Sequence, residues 1–328
     1  MSPEGAAARD RFVLDLRGPK AVLDPHRAYA AVWEEECDER GALAPTAVVF
    51  LTNRECPFRC VMCDLWVNTL DGTVPRGAIA QQIRDALVTL PPARQIKLYN
   101  AGSFFDPQAI PVDDYDEIAA AVAGFDRVIV ESHPAFLRGV YRDACRRFRD
   151  LIGGQLEVAV GLETVHQEAL AALNKRMTLD DFADAAQVLA RDAIALRVFV
   201  LLDPPFVPHH EAADCALGGV RTARSVGATA CTVIPVRGGN GAIDALPVDQ
   251  RPRLGLRELE WVVQEALADG AGAPEGAPLR NQMRVFADLW DIERLYDCTC
   301  SRQRAARLAR MNREQAVPPP VACACNGR

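Results

Sequence analysis

Six short runs rich in β-branched residues recur through the middle of this sequence, each parted from the next by a stretch with helical spacing. The runs cover residues 47–51, 95–99, 127–130, 156–162, 196–202 and 228–235. Between the first two, Ile79, Ile83, Ala86, Leu87 and Leu90 fall on one helical face. Thr178 followed by Asp181 reads as the capping box of a helix running to about Arg191. Residues 213–226 read as another helix, closed by Gly227. Strands that alternate with helices pair in parallel through right-handed crossovers. Six such units predict an α/β fold, a partial (β/α)6 TIM-like barrel, with its chemistry at the C-terminal ends of the strands.

The remaining sequence divides around that barrel. Residues 1–44 form an N-terminal extension, residues 45–269 the barrel, and residues 270–328 a linker (GAGAPEGAP) followed by a small cysteine-containing C-terminal extension. The composition, 49% apolar and 25% charged, is that of a soluble globular protein. A net charge of −7 argues against general nucleic-acid binding, which favours a basic face. The N-terminus, MSPEGAAARDRFVLDLRGPK, lacks the apolar core of a secretion signal, and no run is long and apolar enough to span a membrane. A cytoplasmic protein with no membrane partner is the expectation.

Eleven cysteines need a reason in a reducing compartment. Cys37, Cys145, Cys215 and Cys231 are scattered and read as buried thiols, packed as small hydrophobes. Cys56, Cys60 and Cys63 instead cluster as C-x3-C-x2-C in TNRECPFRCVMCDLW, directly after the first strand. Thiolates are the ligands of iron–sulfur clusters, and this tight spacing lets one loop wrap a corner of a cube. Three ligands leave one iron open to bind something else. A zinc site, which wants a fourth ligand from elsewhere, and inert thiols are the alternatives.

Polar motifs stand at the ends of the later strands. After the second comes NAGSFFDP, where Gly102 lets the backbone approach a ligand closely. The third ends in ESHP, offering Glu131 and Ser132; the fourth ends in GLET, followed by LNKRMT. Glu163 is placed to bond a hydroxyl or ammonium, and the Arg176 guanidinium can grip a carboxylate in bidentate fashion. LLDPPF and PVRGGNG follow the last two strands.

With these motifs the chain resembles the radical S-adenosylmethionine (SAM) superfamily, over about residues 40–245. Within it the combination looks like the branch of the elongator catalytic subunit and MiaB-like proteins, most nearly the radical SAM subunit of archaeosine synthase. The resemblance implies a [4Fe–4S] cluster on Cys56, Cys60 and Cys63 whose open iron chelates SAM. One electron then cleaves the sulfonium, and the resulting 5′-deoxyadenosyl radical abstracts hydrogen from a substrate. It further implies that Met62 packs near adenine in place of the usual aromatic residue, and that Asn100, Ala101, Gly102 and Ser103 receive the SAM amino group. Glu131 and Ser132 would bond the ribose or face substrate, alongside Glu163. Arg176 would hold the SAM carboxylate, with Lys175 as second choice. The implied partners are a small-molecule or peptide substrate and an electron donor such as flavodoxin or ferredoxin. A tRNA base is the alternative substrate, and a non-catalytic iron–sulfur sensor the alternative class; a sensor has no need of a SAM pocket.

Two further pairs, Cys298-Thr-Cys300 and Cys323-Ala-Cys325, lie in the C-terminal extension. Residues i and i+2 of extended chain share a side, so each pair can present two thiolates to one centre. Four thiolates suit a second [4Fe–4S] cluster or a zinc ion, and the C-x-C spacing favours iron, because zinc sites more often use C-x2-C. Arg304, Arg307 and Arg310, between the pairs, would share a helical face and screen an anionic cluster, meet an anionic substrate, or simply face solvent.

Overall fold

All six predicted strands form, and two more join them. The computed structural model of the chain describes residues 5–270 and 282–323. In chain order the helices and strands are α1 (Ala6–Asp15), β1 (Ala30–Cys37), β2 (Leu43–Leu51), α2 (Ala78–Thr89), β3 (Gln95–Asn100), α3 (Tyr115–Ala121), β4 (Arg127–Glu131), α4 (Val140–Leu151) and β5 (Gln155–Glu163). They continue as α5 (Gln167–Ala172), α6 (Leu179–Arg191), β6 (Ala195–Leu202), α7 (His209–Ser225), β7 (Ala230–Pro235), α8 (Leu256–Ala268), β8 (Arg284–Ala287) and α9 (Ser301–Glu314). The eight strands make one sheet in sequential order. β1 runs antiparallel to β2, with Trp33 opposite Ala47, and every later neighbour is parallel. The sheet curls into a partial TIM-like barrel.

Each parallel strand sends alternate apolar residues outward into a helix layer. Val49, Ile96, Val128, Val158, Val198 and Val233 are fully or almost fully buried there, against Ile79 and Ile83 of α2, Phe182 and Leu189 of α6, Val220 of α7 and Val262 of α8. The Thr178 capping box forms as expected: its hydroxyl accepts from the Asp181 amide at 3.1 Å, and the Asp181 carboxylate accepts from the Thr178 amide at 2.8 Å.

The inward residues at the N-terminal end of the barrel are charged. Lys97, Arg127, Glu157, Arg197 and Arg284 come one from each of five strands, and Glu36 comes from β1. All six are buried. Glu157 takes Arg197 at 2.6 Å, Arg127 at 3.0 Å and Arg284 at 3.3 Å, while Glu36 takes Lys97 at 2.6 Å and Arg197. Arg284 also donates to the Cys37 carbonyl at 3.0 Å, so the last strand reaches the first through side chains. This plug closes the lower half of the barrel and leaves the chemistry to the other end.

The N-terminal extension contains a strand of the sheet, and the C-terminal extension contributes β8 and α9 to the barrel wall. Most of the 270–278 linker lies outside the described residues. Among the described residues, no helix is long and apolar enough to cross a membrane.

Candidate functional site

The three-cysteine loop leaves the C-terminal end of β2 and is held at its carbonyls. Gln82, buried in α2, accepts from the Thr52 amide and donates to the Thr52 carbonyl, both at 2.8 Å, which fixes the departure of the loop. Asn174 donates to the Arg59 carbonyl at 2.8 Å, and Asn240 to the Val61 carbonyl at 2.7 Å. The Val61 amide donates to the Leu173 carbonyl at 2.9 Å. Glu55 gathers Arg17 at 2.6 Å, Lys20 at 2.7 Å and Arg59 at 3.2 Å. The three thiols are therefore presented by a loop braced from three directions. Burial, with the neighbouring Cys56, pushes the Cys63 thiol up to about 12. Burial raises Cys56 and Cys60 as well, although the Lys175 ammonium pulls both the other way.

Against this loop lies the turn after β3. Gly102 sits at φ +146, and a Cβ there would press on Cys56 at 3.3 Å from its Cβ and 3.4 Å from its Cα. Only glycine lets the turn lie this close. Beside it, the Asn100 side chain is buried with neither its nitrogen nor its oxygen hydrogen-bonded. A buried amide without partners is rare in a folded protein, and it is a group ready for a polar ligand. Three thiols, a glycine cradle and an orphaned amide fit an open-sided iron–sulfur cluster with a polar cofactor beside it.

The ends of β4 and β5 supply charge. Lys175 is buried, pairs with Glu163, and lies within electrostatic reach of Cys60 and Cys56. Burial works against its charge, but Glu163 more than restores it, leaving the ammonium raised. The pair needs Gly161: a Cβ there would collide with both the Glu163 carboxylate and the Lys175 ammonium. Glu131, also inward, has its carboxyl pushed up to about 8 by burial, against a hydrogen bond from the backbone N–H of Asn100. Its field reaches Tyr29 and Tyr99.

The expected residues therefore separate. Cys56, Cys60, Cys63, Asn100, Gly102, Glu131, Glu163 and Lys175 come together at one end of the barrel. Ser103 and Ser132 hydroxyls are both engaged by the His133 backbone: Ser103 accepts from its amide at 2.9 Å, and Ser132 donates to its carbonyl at 3.2 Å. Ala101 is buried, and Met62 is half-buried on the loop. Arg176 turns away from the thiols to pair with Asp10 of α1. Of the two basic residues, Lys175 is the one that the chain carries to the thiols.

Two contributors escape the sequence reading. His133 stacks on Phe58 of the cysteine loop at 4.0 Å, and its Nε2 lies 2.8 Å from the Lys175 carbonyl. Its Nδ1 accepts from the Ala135 amide, so Nε2 carries the hydrogen and donates. Burial and Lys175 lower its basicity to about 3, keeping the ring neutral. A histidine directly after Glu131 and Ser132 was visible in ESHP, but its neighbours were not. The second is α1. Val13 packs with Val61, Ala242 and Leu246, Asp10 bonds Asn174 at 2.8 Å, and the Leu16 carbonyl approaches Gly241 too closely for any Cβ.

At the C-terminus, Cys298, Cys300 and Cys323 converge; Cys325 lies outside the described residues. Arg307 and Arg304 are not a solvent face: both pair with the buried Glu260 of α8, and only Arg310 is exposed, paired with Glu314.

No protein-family model matches the chain. It is 19% identical over 324 residues to an uncharacterized protein of Methanocaldococcus jannaschii, covering 93% of this chain and 87% of that one. It is 28% identical over 216 residues to archaeosine synthase subunit beta of Methanosarcina acetivorans, 62% of each chain. The match thus spans less than two thirds of that subunit. Among solved structures, methylornithine synthase (PylB) superposes with a TM-score of 0.51 at 11% identity, over 90% of this chain and 78% of that one. Streptococcus suis SuiB bound to S-adenosylmethionine gives 0.50 at 10% identity, over 79% and 54%.

Proposed function

We propose that this chain, which has the fold of the radical SAM enzymes, is itself one of them. Cys56, Cys60 and Cys63 hold a [4Fe–4S] cluster with one iron open, and S-adenosylmethionine occupies the space beside it. The observation that carries this reading is the braced C-x3-C-x2-C loop lying flush on Gly102 next to the unpartnered Asn100 amide. When bound, the cluster and SAM supply hydrogen-atom abstraction from an unreactive C–H bond after one-electron cleavage of the sulfonium; the protein supplies position and shielding. Asn100 and the backbone around Gly102 receive the amino group of SAM. Lys175, held by Glu163, meets its carboxylate. Glu131, Tyr29 and Tyr99 face the barrel interior, where substrate is held. A small molecule or a peptide is the substrate class, with a flavodoxin or ferredoxin as reductant. The 28% identity to an archaeosine synthase subunit favours a second reading, a tRNA base; the net charge of −7 weighs against it.

Anaerobically reconstituted protein tests the proposal. Dithionite and SAM should yield 5′-deoxyadenosine, and the Cys56→Ala, Cys60→Ala, Cys63→Ala triple variant should yield none. Undiminished cleavage by that variant would remove the proposal.

A further inference from the structure

Two C-x-C pairs close the sequence, and three of their four thiols meet. Cys298 and Cys300 stand at the start of α9. Cys323 returns to them because Arg307, buried in α9, donates to the carbonyls of Pro318 at 2.7 Å and Pro319 at 2.9 Å. That folds the tail back along the helix until the Ala322 carbonyl lies 4.0 Å from the Cys300 sulfur. The first pair is shaped in advance: the buried Ser301 hydroxyl accepts from the amides of Asp297 and Cys298, both at 3.1 Å. The sulfurs of Cys298, Cys300 and Cys323 all lie within 4.8 Å of one another. Among the described residues, no other three His, Cys, Asp or Glu side chains bring their ligand atoms so close.

This spacing selects between the two metal chemistries. Thiolates around one tetrahedral zinc, each about 2.3 Å from the metal, stand about 3.8 Å apart. A four-iron cube binds each thiolate at a different corner, so its ligands splay further. Cys56, Cys60 and Cys63 are not all within 4.8 Å, as ligands of a cube should not be; the C-terminal three are. Charge agrees. Three thiolates on a divalent ion leave one negative charge, and two guanidiniums stand beside them: Arg257 of α8 hydrogen-bonds Cys298, and Arg304 of α9 hydrogen-bonds Cys323. The sequence holds a fourth thiol at Cys325, outside the described residues.

The geometry points to a single tetrahedral ion of the zinc class, held by Cys298, Cys300 and Cys323, that clips the C-terminal segment onto α8 and α9. This reverses the preference for iron that the C-x-C spacing gives in the sequence. The ion needs no role in radical chemistry, because its ligands hang on elements other than the cysteine loop.

Metal analysis of the full-length protein tests it. The wild type should carry about one zinc beside about four irons. The Cys298→Ser, Cys300→Ser double variant should lose the zinc and keep iron, labile sulfide and 5′-deoxyadenosine formation. Should that variant fail to fold, zinc K-edge absorption of the wild type reads the same site, with sulfur neighbours expected at about 2.3 Å and no iron neighbour at about 2.7 Å. About eight irons in the wild type, falling to four in the variant, would overturn the proposal in favour of a second cluster. Neither zinc nor extra iron would overturn it in favour of a metal-free tail. Loss of 5′-deoxyadenosine in the cysteine-loop variants is read separately, so either conclusion can fail alone.

Discussion

Lys175 and Arg176 are adjacent in sequence yet face opposite ways, because Asn174 at φ 60 and Arg176 at φ 58 both adopt left-handed backbone. The kink on either side of Lys175 drives its chain inward to Glu163 and the thiols and throws Arg176 out to Asp10. The inner group is desolvated, so its charge acts at full strength; the outer pair is about one-third exposed on each side and worth about 0–1 kcal/mol. Replacing Lys175 by Met should weaken SAM binding by about 1.5–3 kcal/mol, the range for a charge-assisted hydrogen bond, with iron content normal. Arg176→Ala should change it by less than about 1 kcal/mol. Equilibrium dialysis with SAM on both reconstituted variants decides, and a larger loss in Arg176→Ala would show that α1 moves aside to free that guanidinium.

At the scale of elements, α1 is the one whose place is least secured by its own sequence. Ten residues fall short of a stable isolated helix, and only Val13 is buried. Its position comes from Val61, Ala242 and Leu246, so it wraps the cysteine loop rather than extending away from the barrel. Val13→Asp should therefore release α1. Hydrogen exchange should accelerate across residues 6–16 and at Val61, and the reconstituted cluster should bleach faster in air, while exchange in β3 to β6 stays unchanged. Unaltered bleaching would mean that α1 does not shield the loop. The helix was illegible in the sequence because its anchors lie some fifty and some 230 residues away. Most of the parallel strands were legible because they read as short, nearly unbroken apolar runs rich in β-branched residues. β1 was not, since Glu34, Glu35 and Glu36 interrupt its apolar pattern; in the fold Lys97 takes two of those carboxylates and Arg313 the third. β8 is only four residues long and follows a Gly/Pro linker, too short for a periodic signal. The cysteine triad could be read because ligand spacing is local, whereas the Gly161, Glu163 and Lys175 arrangement needs a bulge in β5 that no local pattern announces.

For the whole molecule, the buried ionic plug decides how the barrel responds to acid. Glu157 is fully buried among Arg197, Arg127 and Arg284, and although burial opposes its charge, those three guanidiniums hold its carboxyl down at about 2. Glu36 is lowered in the same way by Arg197 and Lys97. The unfolded chain therefore binds protons more readily than the folded one, so these carboxylates contribute stability that is complete above the ordinary glutamate value of 4.5 and is lost as pH falls toward 2. Each such group lowers stability by up to about 1.4 kcal/mol per pH unit inside that window. Glu157→Gln removes the charge but not the shape, leaving three buried arginines short of a partner, and should destabilise by about 3–5 kcal/mol at pH 7. It also removes one titrating group. The gap between wild type and variant, read from urea unfolding of cluster-free protein, should therefore be widest at pH 7 and narrow as pH falls through 4. A gap that stays constant down to pH 3 would mean that Glu157 is not ionised in the fold, and the plug would then be held by neutral hydrogen bonds rather than by charge.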